Sequence, residues 1–352
     1  MTAALPKPLH ALDFAPLGPL VERAYPASRG VFEWTPMPGG ASTRRYFRLR
    51  MGSETAVAMF VPEGAKPEEI ARESLAEARW PFLEVRDLLA SRGVDVPVIF
   101  AEDTARGWVL LEDLGDETLA VHLAEHQERR QPLYTRAVTD LAAAQANLRQ
   151  MPETCIVASR AFDEGLLLGE IDHFREWGLE ARGVTLSTAD RARFEVFAER
   201  LARRIAAWPR VFVHRDYQSR NLMVRSESGL CWIDFQDALL GPRVYDLVAL
   251  LNDSYQSFDR GFVEARLMDY ARAVGLDSVD RAALVREFDV VTVQRKLKDA
   301  GRFVYIDRVK GNSSFMRFVE PTIAKVRSSL DRLGDDEDMR AFADLLSRLL
   351  PR

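Results

Sequence analysis

Two carboxylates and a carboxamide in the middle of the chain have types and spacing that could serve one reaction. Asp216 follows the apolar run Val211–Val213, and Asn221 completes the pattern D-x-x-x-x-N before the chain turns apolar again. The letters LMVR, SESG and LCWI then predict two short strands joined by a tight turn, which is a β-hairpin. Such a hairpin would return Asp234 to a position opposite Asn221, with Asp216 on the loop that leads to the same end.

The oxygen atoms of these three side chains suit Mg²⁺, which keeps several water ligands that phosphate oxygens can displace. With Asn221 and Asp234 as metal ligands, Asp216 is left to accept a proton from an alcohol. These groups are the minimum for moving a phosphoryl group to a hydroxyl. Taken singly, Asp216 could cap a turn and Asn221 could fill a loop, but the complete spacing favours a site.

The general properties of the chain exclude several other classes of protein. Its 352 residues are enough for two core-bearing units or for one large domain with two lobes. A formal net charge of −5 argues against a general nucleic-acid binder, which usually has a basic surplus. The two cysteines, Cys155 and Cys231, predict neither a disulfide framework nor a metal knuckle.

The expected location is the cytoplasm. The first residues, MTAALPKPLHALDF, lack the basic stretch and apolar core of a secretory signal. No apolar run approaches the ~20 residues that span a bilayer. We therefore expect no membrane association, and no feature of the sequence indicates an obligate protein partner.

Local patterns divide the chain into two parts. Strands are predicted at VFEWTPM, RRYFRLR and TAVAMFV within residues 31–61, then a helix from KPEE to Gly93, then two strands in VPVIFAEDTARGWVLLEDLGD. After Asp116 the pattern is mostly helical, interrupted by strands around residues 211–235. The predicted fold class is α+β. A small antiparallel β-rich lobe at 1–114 joins a larger helical lobe at 118–352 through a hinge near 112–117.

The central motifs resemble those of a known fold. HRDYQSRN followed by IDFQD is similar to the catalytic loop and metal motif of the protein-kinase-like fold. Protein kinases continue with a long activation segment that ends in A-P-E. Here Gln236 stands where their glycine would be, and an apolar helix begins about ten residues later, around Tyr245. So short a segment cannot form a peptide platform, which predicts a small substrate.

Within that fold the chain resembles the aminoglycoside phosphotransferase and choline kinase family of small-molecule kinases. It most resembles the bacterial anomeric kinases of N-acetylmuramate and N-acetylglucosamine in cell-wall recycling. The matching stretches are GGASTRRYFRL, VLLEDLGD, HRDYQSRNLM, IDFQDALLGPRVYDLVALLND and QRKLKDAGRF. The resemblance implies an ATP- and Mg²⁺-dependent transfer to the anomeric hydroxyl of an amino sugar, giving a sugar 1-phosphate.

The resemblance also implies roles for individual residues. Asp216 would act as the base or orienting group, and Asn221 and Asp234 would hold the metal. Main-chain groups of Glu112 and Leu114 would bind adenine. The turn PGGASTRRYF would approach the phosphates through Gly40, Ser42, Thr43 and Arg44.

Polar residues near the motifs are candidates for the acceptor pocket. They are Gln218, Arg220, Arg243, Asp253, Tyr255 and Arg295. An acidic, aromatic pocket would favour a cationic acceptor, whereas basic and hydrogen-bonding groups would favour the lactyl carboxylate of N-acetylmuramate. Asp246 is expected to begin a helix and to brace the catalytic loop by hydrogen bonds.

The chain departs from most kinases at the third strand. Met59 stands where they have a lysine that pairs with the α- and β-phosphates. Arg44, Arg45 or Arg48 could supply positive charge instead. The alternatives are another small-molecule kinase of the family, of the aminoglycoside, choline or homoserine type, or a nucleotide-binding pseudokinase.

Overall fold

The structure is a computed structural model that describes residues 12–38, 43–62, 79–225 and 229–351. The described residues form two units. The first unit contains the described residues up to 62, together with 95–117 and 231–233. The second unit contains 79–94, the described residues from 118 to 230, and 234–351.

The first unit is built on an antiparallel sheet that follows a short helix, α1 (Leu17–Ala24). Its strands are β1 (Glu33–Pro36), β2 (Arg45–Met51), β3 (Glu54–Phe60), β4 (Ile99–Asp103) and β5 (Trp108–Glu112). They pair in the order β1-β2-β3-β5-β4. The five strands predicted for this region are therefore confirmed.

Alternation along the strands separates the two faces of this sheet. Phe47, Ala58 and Leu110 lie side by side across β2, β3 and β5, and they pack with α1 in one buried cluster. Met59 follows Ala58 and therefore points to the opposite face, where its neighbour on β5 is Val109. Arg48 of β2 lies on this same face. The third strand thus presents a fully buried thioether there, as the sequence indicated.

The helix predicted from KPEE to Gly93 begins later than expected within the described residues. α2 spans Pro81–Ser91, preceded by Trp80 in an extended conformation. Proline lacks an amide hydrogen and forces the residue before it out of the helical region, so Pro81 can open a helix but not continue one. Gly93 follows the helix end with φ +78°, as predicted. The earlier part of the prediction, residues 66–78, lies outside the described residues.

α2 belongs to the second unit although it lies inside the predicted N-terminal lobe of 1–114. The ring of Phe82 stacks on that of Phe235 at 5.2 Å between centroids. The Glu84 carboxylate accepts a hydrogen bond from the Ile156 amide at 2.7 Å. Because of these contacts, α2 packs in the second unit although its neighbours in the sequence belong to the first.

The second unit is mainly helical. Its remaining helices are α3 (Leu119–Glu125), α4 (Arg130–Asn147), α5 (Glu164–His173), α6 (Thr188–Ala206), α7 (Tyr245–Leu251), α8 (Arg260–Ala273), α9 (Ser278–Lys310), α10 (Val319–Arg332) and α11 (Glu337–Leu349). Among the described helices, none is both long and apolar enough to cross a membrane.

In the described part of this region, four short strands interrupt the helices. They are β6 (Arg210–Val213), β7 (Leu222–Val224), β8 (Leu230–Trp232) and β9 (Leu239–Pro242). β7 and β8 form the predicted hairpin. β6 pairs with β9, so the strand region extends to Pro242 and not to 235 as predicted. β9 thus takes up part of the short segment between Asp234 and α7.

Helix α9 lies close to the end of α5, and one glycine permits this approach. A Cβ atom on Gly301 would lie 2.8 Å from the carbonyl oxygen of His173. α5 continues there into a π-helical turn, Phe174–Leu179, which packs along α9. A side chain at Gly301 would push the two helices apart, and with them the charged residues of α9 described below.

Candidate active site

The predicted catalytic loop begins where β6 ends, and a carboxylate holds its first two residues. The backbone amides of His214 and Arg215 donate to Asp246 at 2.6 and 3.0 Å. Arg215 has φ +79°, an uncommon conformation for a residue with a side chain, and these hydrogen bonds maintain it. Complete burial raises the pKa of Asp246 to about 7. The predicted bracing role of Asp246 at the start of α7 is confirmed.

A second carboxylate holds the far side of the loop. The amide and hydroxyl of Ser219 donate to Asp253 at 3.3 and 2.6 Å. Asp253 follows α7 and is fully buried, as is Ser219. Because Asp246 and Asp253 flank one short helix, α7 fixes both ends of the loop that carries Asp216.

Within the loop, Asn221 bonds back to Asp216. The Nδ2 atom of Asn221 donates to the carbonyl oxygen of Asp216 at 2.8 Å, and the amide of Gln218 donates to the same oxygen at 2.8 Å. A carboxamide whose NH₂ group is used in this way still has an oxygen to offer a cation. The spacing D-x-x-x-x-N thus has a local purpose, since the second residue shapes the turn that presents the first.

Asp234 lies beyond the hairpin and is the third side chain of the predicted site. The amide of Arg225 donates to the carbonyl of Gly229 at 3.0 Å, which closes the hairpin next to its turn. Continuing this pairing away from the turn brings Asn221 and Asp234 to the same end of the hairpin. Asp234 has φ +65° and accepts a hydrogen bond from the Gln236 side chain at 3.0 Å.

Two cations of α9, Arg295 and Lys298, favour the ionised form of Asp216. Arg295 is fully buried; its Nη1 donates to the carbonyl of Arg215 at 2.8 Å, and its Nη2 lies 3.6 Å from Asp216 Oδ1. Burial of Asp216 opposes ionisation, but the positive charges of Lys298 and Arg295 outweigh it and hold the pKa of Asp216 below its usual value. Asp216 is therefore a carboxylate at neutral pH.

The other residues predicted for the acceptor pocket have varied surroundings. The guanidinium of Arg220, which is exposed, lies 3.4 Å from the ring centroid of Tyr255. The side chain of Gln218 is half-buried. Arg243 forms a two-pronged ion pair with Glu287 at 2.8 and 3.0 Å.

Of the predicted nucleotide residues, Gly40 and Ser42 lie outside the described residues. Thr43 is exposed and Arg44 is half-buried. The amide of Glu112 donates to the Val98 carbonyl, and its carboxylate accepts from the Val98 amide. Its carbonyl is the group expected to bind adenine, so this pairing along the sheet edge fixes the backbone on which that role depends.

Arg48 holds the segment that follows Glu112. Its guanidinium is paired with Asp113 at 2.9 Å and with Asp116 at 2.9 Å. These two carboxylates lie on either side of Leu114, which is half-buried and precedes Gly115 with φ +75°. Arg48 therefore braces the predicted adenine-binding segment, which leaves it poorly placed to neutralise phosphates as well.

Comparison with known proteins supports the kinase-like geometry. A family profile described as "Phosphotransferase enzyme family" matches residues 33–283, well over half of the chain. The chain belongs to this family.

Two relatives of this phosphotransferase are similar to it over most of their length. The N-acetylmuramate/N-acetylglucosamine kinase of Pseudomonas aeruginosa is 35% identical over 315 residues, which is 86% of this chain and 87% of the relative. The protein of the same name from Pseudomonas putida is 33% identical over 331 residues, 90% of each chain. The resemblance seen in the motifs is confirmed over nearly the whole length.

Solved structures confirm the predicted protein-kinase-like α+β fold. An ADP-bound aminoglycoside phosphotransferase matches with a TM-score of 0.58 at 14% identity, covering 89% of this chain and 98% of that chain. Choline kinase from Streptococcus pneumoniae matches with a TM-score of 0.58 at 13% identity, covering 89% and 100%. At these identities the likeness concerns the fold.

Several charged groups next to the predicted catalytic loop are not evident from the motifs. Lys298 was not singled out, although it is three residues after Arg295 and so lies on the same face of α9. Glu170 of α5 was missed as well; it pairs with Arg215 at 3.1 Å and accepts from Gln294 at 2.9 Å. A usable signal lies in the apolar residues on either side of QRKLKD, VVTV at 290–293 and FVYI at 303–306. They predict a helix that is buried on most sides, so its charges must face buried partners.

Proposed function

We propose that the protein is a cytoplasmic kinase that transfers the γ-phosphoryl group of ATP to the anomeric hydroxyl of N-acetylmuramate, N-acetylglucosamine or both, in peptidoglycan recycling. The observation that carries the proposal is the loop of Asp216 and Asn221, joined by their 2.8 Å hydrogen bond. It occurs in a chain 35% identical to a kinase named for these sugars. The carboxylates of Asp216 and Asp234, the carboxamide of Asn221 and the short segment before α7 all agree with it.

Asp216 would receive the acceptor hydroxyl. Its carboxylate is 38% exposed and is kept ionised by the cations behind it, so it can orient the hydroxyl and take its proton. An anomeric hydroxyl is more acidic than an ordinary sugar alcohol and needs less help from a base. Loose phosphoryl transfer depends chiefly on positioning and on neutralising charge.

The oxygens of Asn221 and Asp234 fit a magnesium ion. Hard oxygen donors are what Mg²⁺ requires, and one of the two carries the negative charge that attracts it. When bound, the ion would neutralise the phosphate charge of ATP. The chain itself shapes the donors: Asn221 through its bond to Asp216, and Asp234 through its left-handed backbone and the Gln236 side chain.

Residues around Tyr255 weigh against a cationic acceptor of the choline or aminoglycoside type. Cationic ligands are recognised by open aromatic faces and by carboxylates. Here the face of Tyr255 is already covered by the guanidinium of Arg220, and the nearby Asp253 is buried against Ser219. A neutral or acidic sugar is the better match.

The product identifies the reaction. We expect ATP, Mg²⁺ and either sugar to give a sugar 1-phosphate, seen by phosphorus NMR as a phosphate coupled to the anomeric proton. The matched control is the alditol obtained by reducing the same sugar, which should not be phosphorylated because it has no anomeric centre. A phosphate on carbon 6 or carbon 3, or an alditol that remains a substrate, would contradict the proposal.

Arg295 should act through Asp216 and not through the acceptor. Replacing Arg295 by methionine removes a buried positive charge 3.6 Å from the carboxylate, so the pKa of Asp216 should rise. Because the reaction needs ionised Asp216, the acidic limb of the kcat/KM profile should move to higher pH, by about one unit. The measurement is the pH dependence of ADP release.

Two variants accompany this test. Arg295→Lys keeps the charge and should leave the acidic limb close to that of the unmodified protein. Arg286→Met removes a cation from the same helix where it pairs with Asp335 at 2.9 Å, and it serves as the control. If Arg295→Met and Arg286→Met give the same profile, Arg295 does not tune Asp216.

A further inference from the structure

A cationic cleft in the second unit lies next to the predicted acceptor residues and has no role in the chemistry described so far. Its volume is about 710 Å³, and it opens between the loop 252–258 and α10. The lining residues that carry the inference are Tyr255, Arg260, Arg317, Phe318, Lys325 and Arg332. We call it the Arg317 cleft.

Positive charge dominates this cleft although the whole chain is acidic. Four of its lining side chains are cations, and no lining residue is a carboxylate. Behind the wall, one buried carboxylate, Asp289, is shared by Arg260 at 2.9 Å and Arg332 at 2.8 Å. Arg260 also pairs with Glu264 at 2.7 Å, so two carboxylates are paired with two of the four cations. An excess of positive charge remains for an anionic ligand.

Lys325 is built into the wall without a carboxylate. Its ammonium donates to the backbone carbonyls of Asn252, Asp253 and Gln256. It therefore ties the loop 252–256 to α10. Burial lowers the pKa of this ammonium to about 8, so most but not all of its charge is present beside the cleft at neutral pH. The position of this loop affects the loop of Asp216, because Asp253 accepts a hydrogen bond from Ser219.

Arg317 is the cation most available to a ligand. Its side chain is exposed, and its guanidinium lies over the Phe318 ring at 4.8 Å from the centroid. Among the described residues it takes part in no ion pair. Stacking on an aromatic ring fixes the plane of a guanidinium and leaves its N–H groups pointing outward, which suits two-pronged binding of a carboxylate.

Tyr255 connects the cleft with the catalytic loop. Its ring meets that of Phe318 edge to face at 4.8 Å, and its face is covered by Arg220, which belongs to the loop between Asp216 and Asn221. Because Arg220 lies between Asp216 and Asn221 in the chain, the wall of the cleft contacts the loop that carries Asp216.

We propose that the Arg317 cleft binds a carboxylate carried by the acceptor, which is the lactyl group of N-acetylmuramate. This inference rests on the proposed function. N-acetylglucosamine has the same anomeric hydroxyl and lacks the lactyl group, so the cleft would distinguish the two sugars. The Tyr255 and Phe318 rings would contact the apolar part of the substituent, while Arg317 binds its carboxylate.

The test compares the two sugars on one pair of variants. Arg317→Gln should raise KM for N-acetylmuramate about tenfold, because a charge-assisted hydrogen bond is lost. KM for N-acetylglucosamine and kcat for both sugars should stay within about twofold, since nothing at Asp216 has changed. Arg317→Glu should raise KM for N-acetylmuramate further, because it adds repulsion. Arg308→Gln is the control, as it removes an exposed cation of α9 that pairs only loosely, at 3.6 Å, with Asp307.

Each outcome decides between the inference and the function on which it rests. If the unmodified protein phosphorylates neither sugar, the proposed function fails and the inference with it. If both sugars are phosphorylated, only the inference fails when Arg317→Gln changes the two KM values by the same factor or leaves both unchanged. It also fails if inorganic phosphate inhibits both reactions, Arg317→Gln relieves that inhibition, and the ratio of the KM values for the two sugars is the same in the variant. The cleft would then be a site for a free anion.

Discussion

Replacing Asp216 by asparagine should lower kcat by ~10²-fold or more while leaving nucleotide binding nearly intact, as the loss of a general base does. Asparagine has almost the same shape, so the hydrogen bonds from Asn221 and Gln218 to the carbonyl of residue 216 should persist. What is lost is the negative charge that orients the acceptor hydroxyl and takes its proton. Single-turnover phosphoryl transfer, measured with saturating ATP and sugar, gives the effect directly.

The pH dependence of the same pair of proteins adds a second check. The pKa of Asp216 is held below its usual value, so the unmodified protein should keep its activity from neutral pH down to the acid range. The activity should fall only as pH drops through that lowered pKa. Asp216→Asn should have low activity and no acidic limb. Turnover within a few-fold of the unmodified protein would remove Asp216 from the mechanism.

Fluorescent-nucleotide binding separates this effect from damage to the fold. Asp216→Asn should bind ATP with an affinity close to that of the unmodified protein, because Asp216 is not one of the groups proposed to hold the metal. Asp246→Ala provides the contrast. It removes the acceptor of two backbone hydrogen bonds at a residue with positive φ, so it should lower stability as well as turnover.

Local patterns were enough to predict most elements that carry the candidate site. The strands of the first sheet are short runs of apolar and β-branched residues bounded by turn letters, and turn letters also predict the hairpin. The position of Asp246 at a helix start correctly indicated a residue that braces the loop. Pairing of β6 with β9 could not be predicted in this way. The four residues Leu239–Pro242 include a glycine and a proline, and only a partner distant in sequence makes them a strand.

The sequence could not predict which partners surround the charged side chains. Arg295 and Asp253 were predicted to line the acceptor pocket, and both stay untested there, but each is fully buried with partners on the catalytic loop. The type of a charged residue does not show whether it contacts a ligand or supports another residue that contacts the ligand. That depends on how closely α9 and α7 approach the loop, which is set by packing elsewhere, for example at Gly301.

The second large effect is expected at Asp234. Asp234→Ala should lower kcat/KM for ATP by ~10²-fold or more, since a metal that neutralises phosphate charge is worth several kcal/mol. Binding of ATP in the absence of Mg²⁺ should stay the same or become tighter, because a negative charge that repels the phosphates is removed. The gain in affinity that Mg²⁺ normally gives should disappear. This combination is specific for a metal ligand, since a general loss of structure would weaken binding in both conditions.

Asn221 should show a smaller effect of the same kind. Asn221→Ala removes a neutral oxygen ligand together with the hydrogen bond to the Asp216 carbonyl at 2.8 Å. Asn221→Asp restores an oxygen ligand and adds charge but cannot donate that hydrogen bond. If metal binding recovers in Asn221→Asp while turnover stays low, the two roles of Asn221 are separated. Binding of Mn²⁺ in place of Mg²⁺, followed by electron paramagnetic resonance, measures the first role without reference to activity.

Asp338→Ala is the matched control for Asp234→Ala. It also removes one carboxylate from the second unit, but Asp338 is exposed and pairs with Arg200 on the surface. Its metal dependence should equal that of the unmodified protein. The shared magnesium site would be contradicted if Asp234→Ala and Asn221→Ala both kept the full metal-dependent gain in ATP affinity. The carboxylate and the carboxamide that the hairpin brings to one end would then be neighbours with separate purposes, and the spacing D-x-x-x-x-N would serve only the shape of the loop.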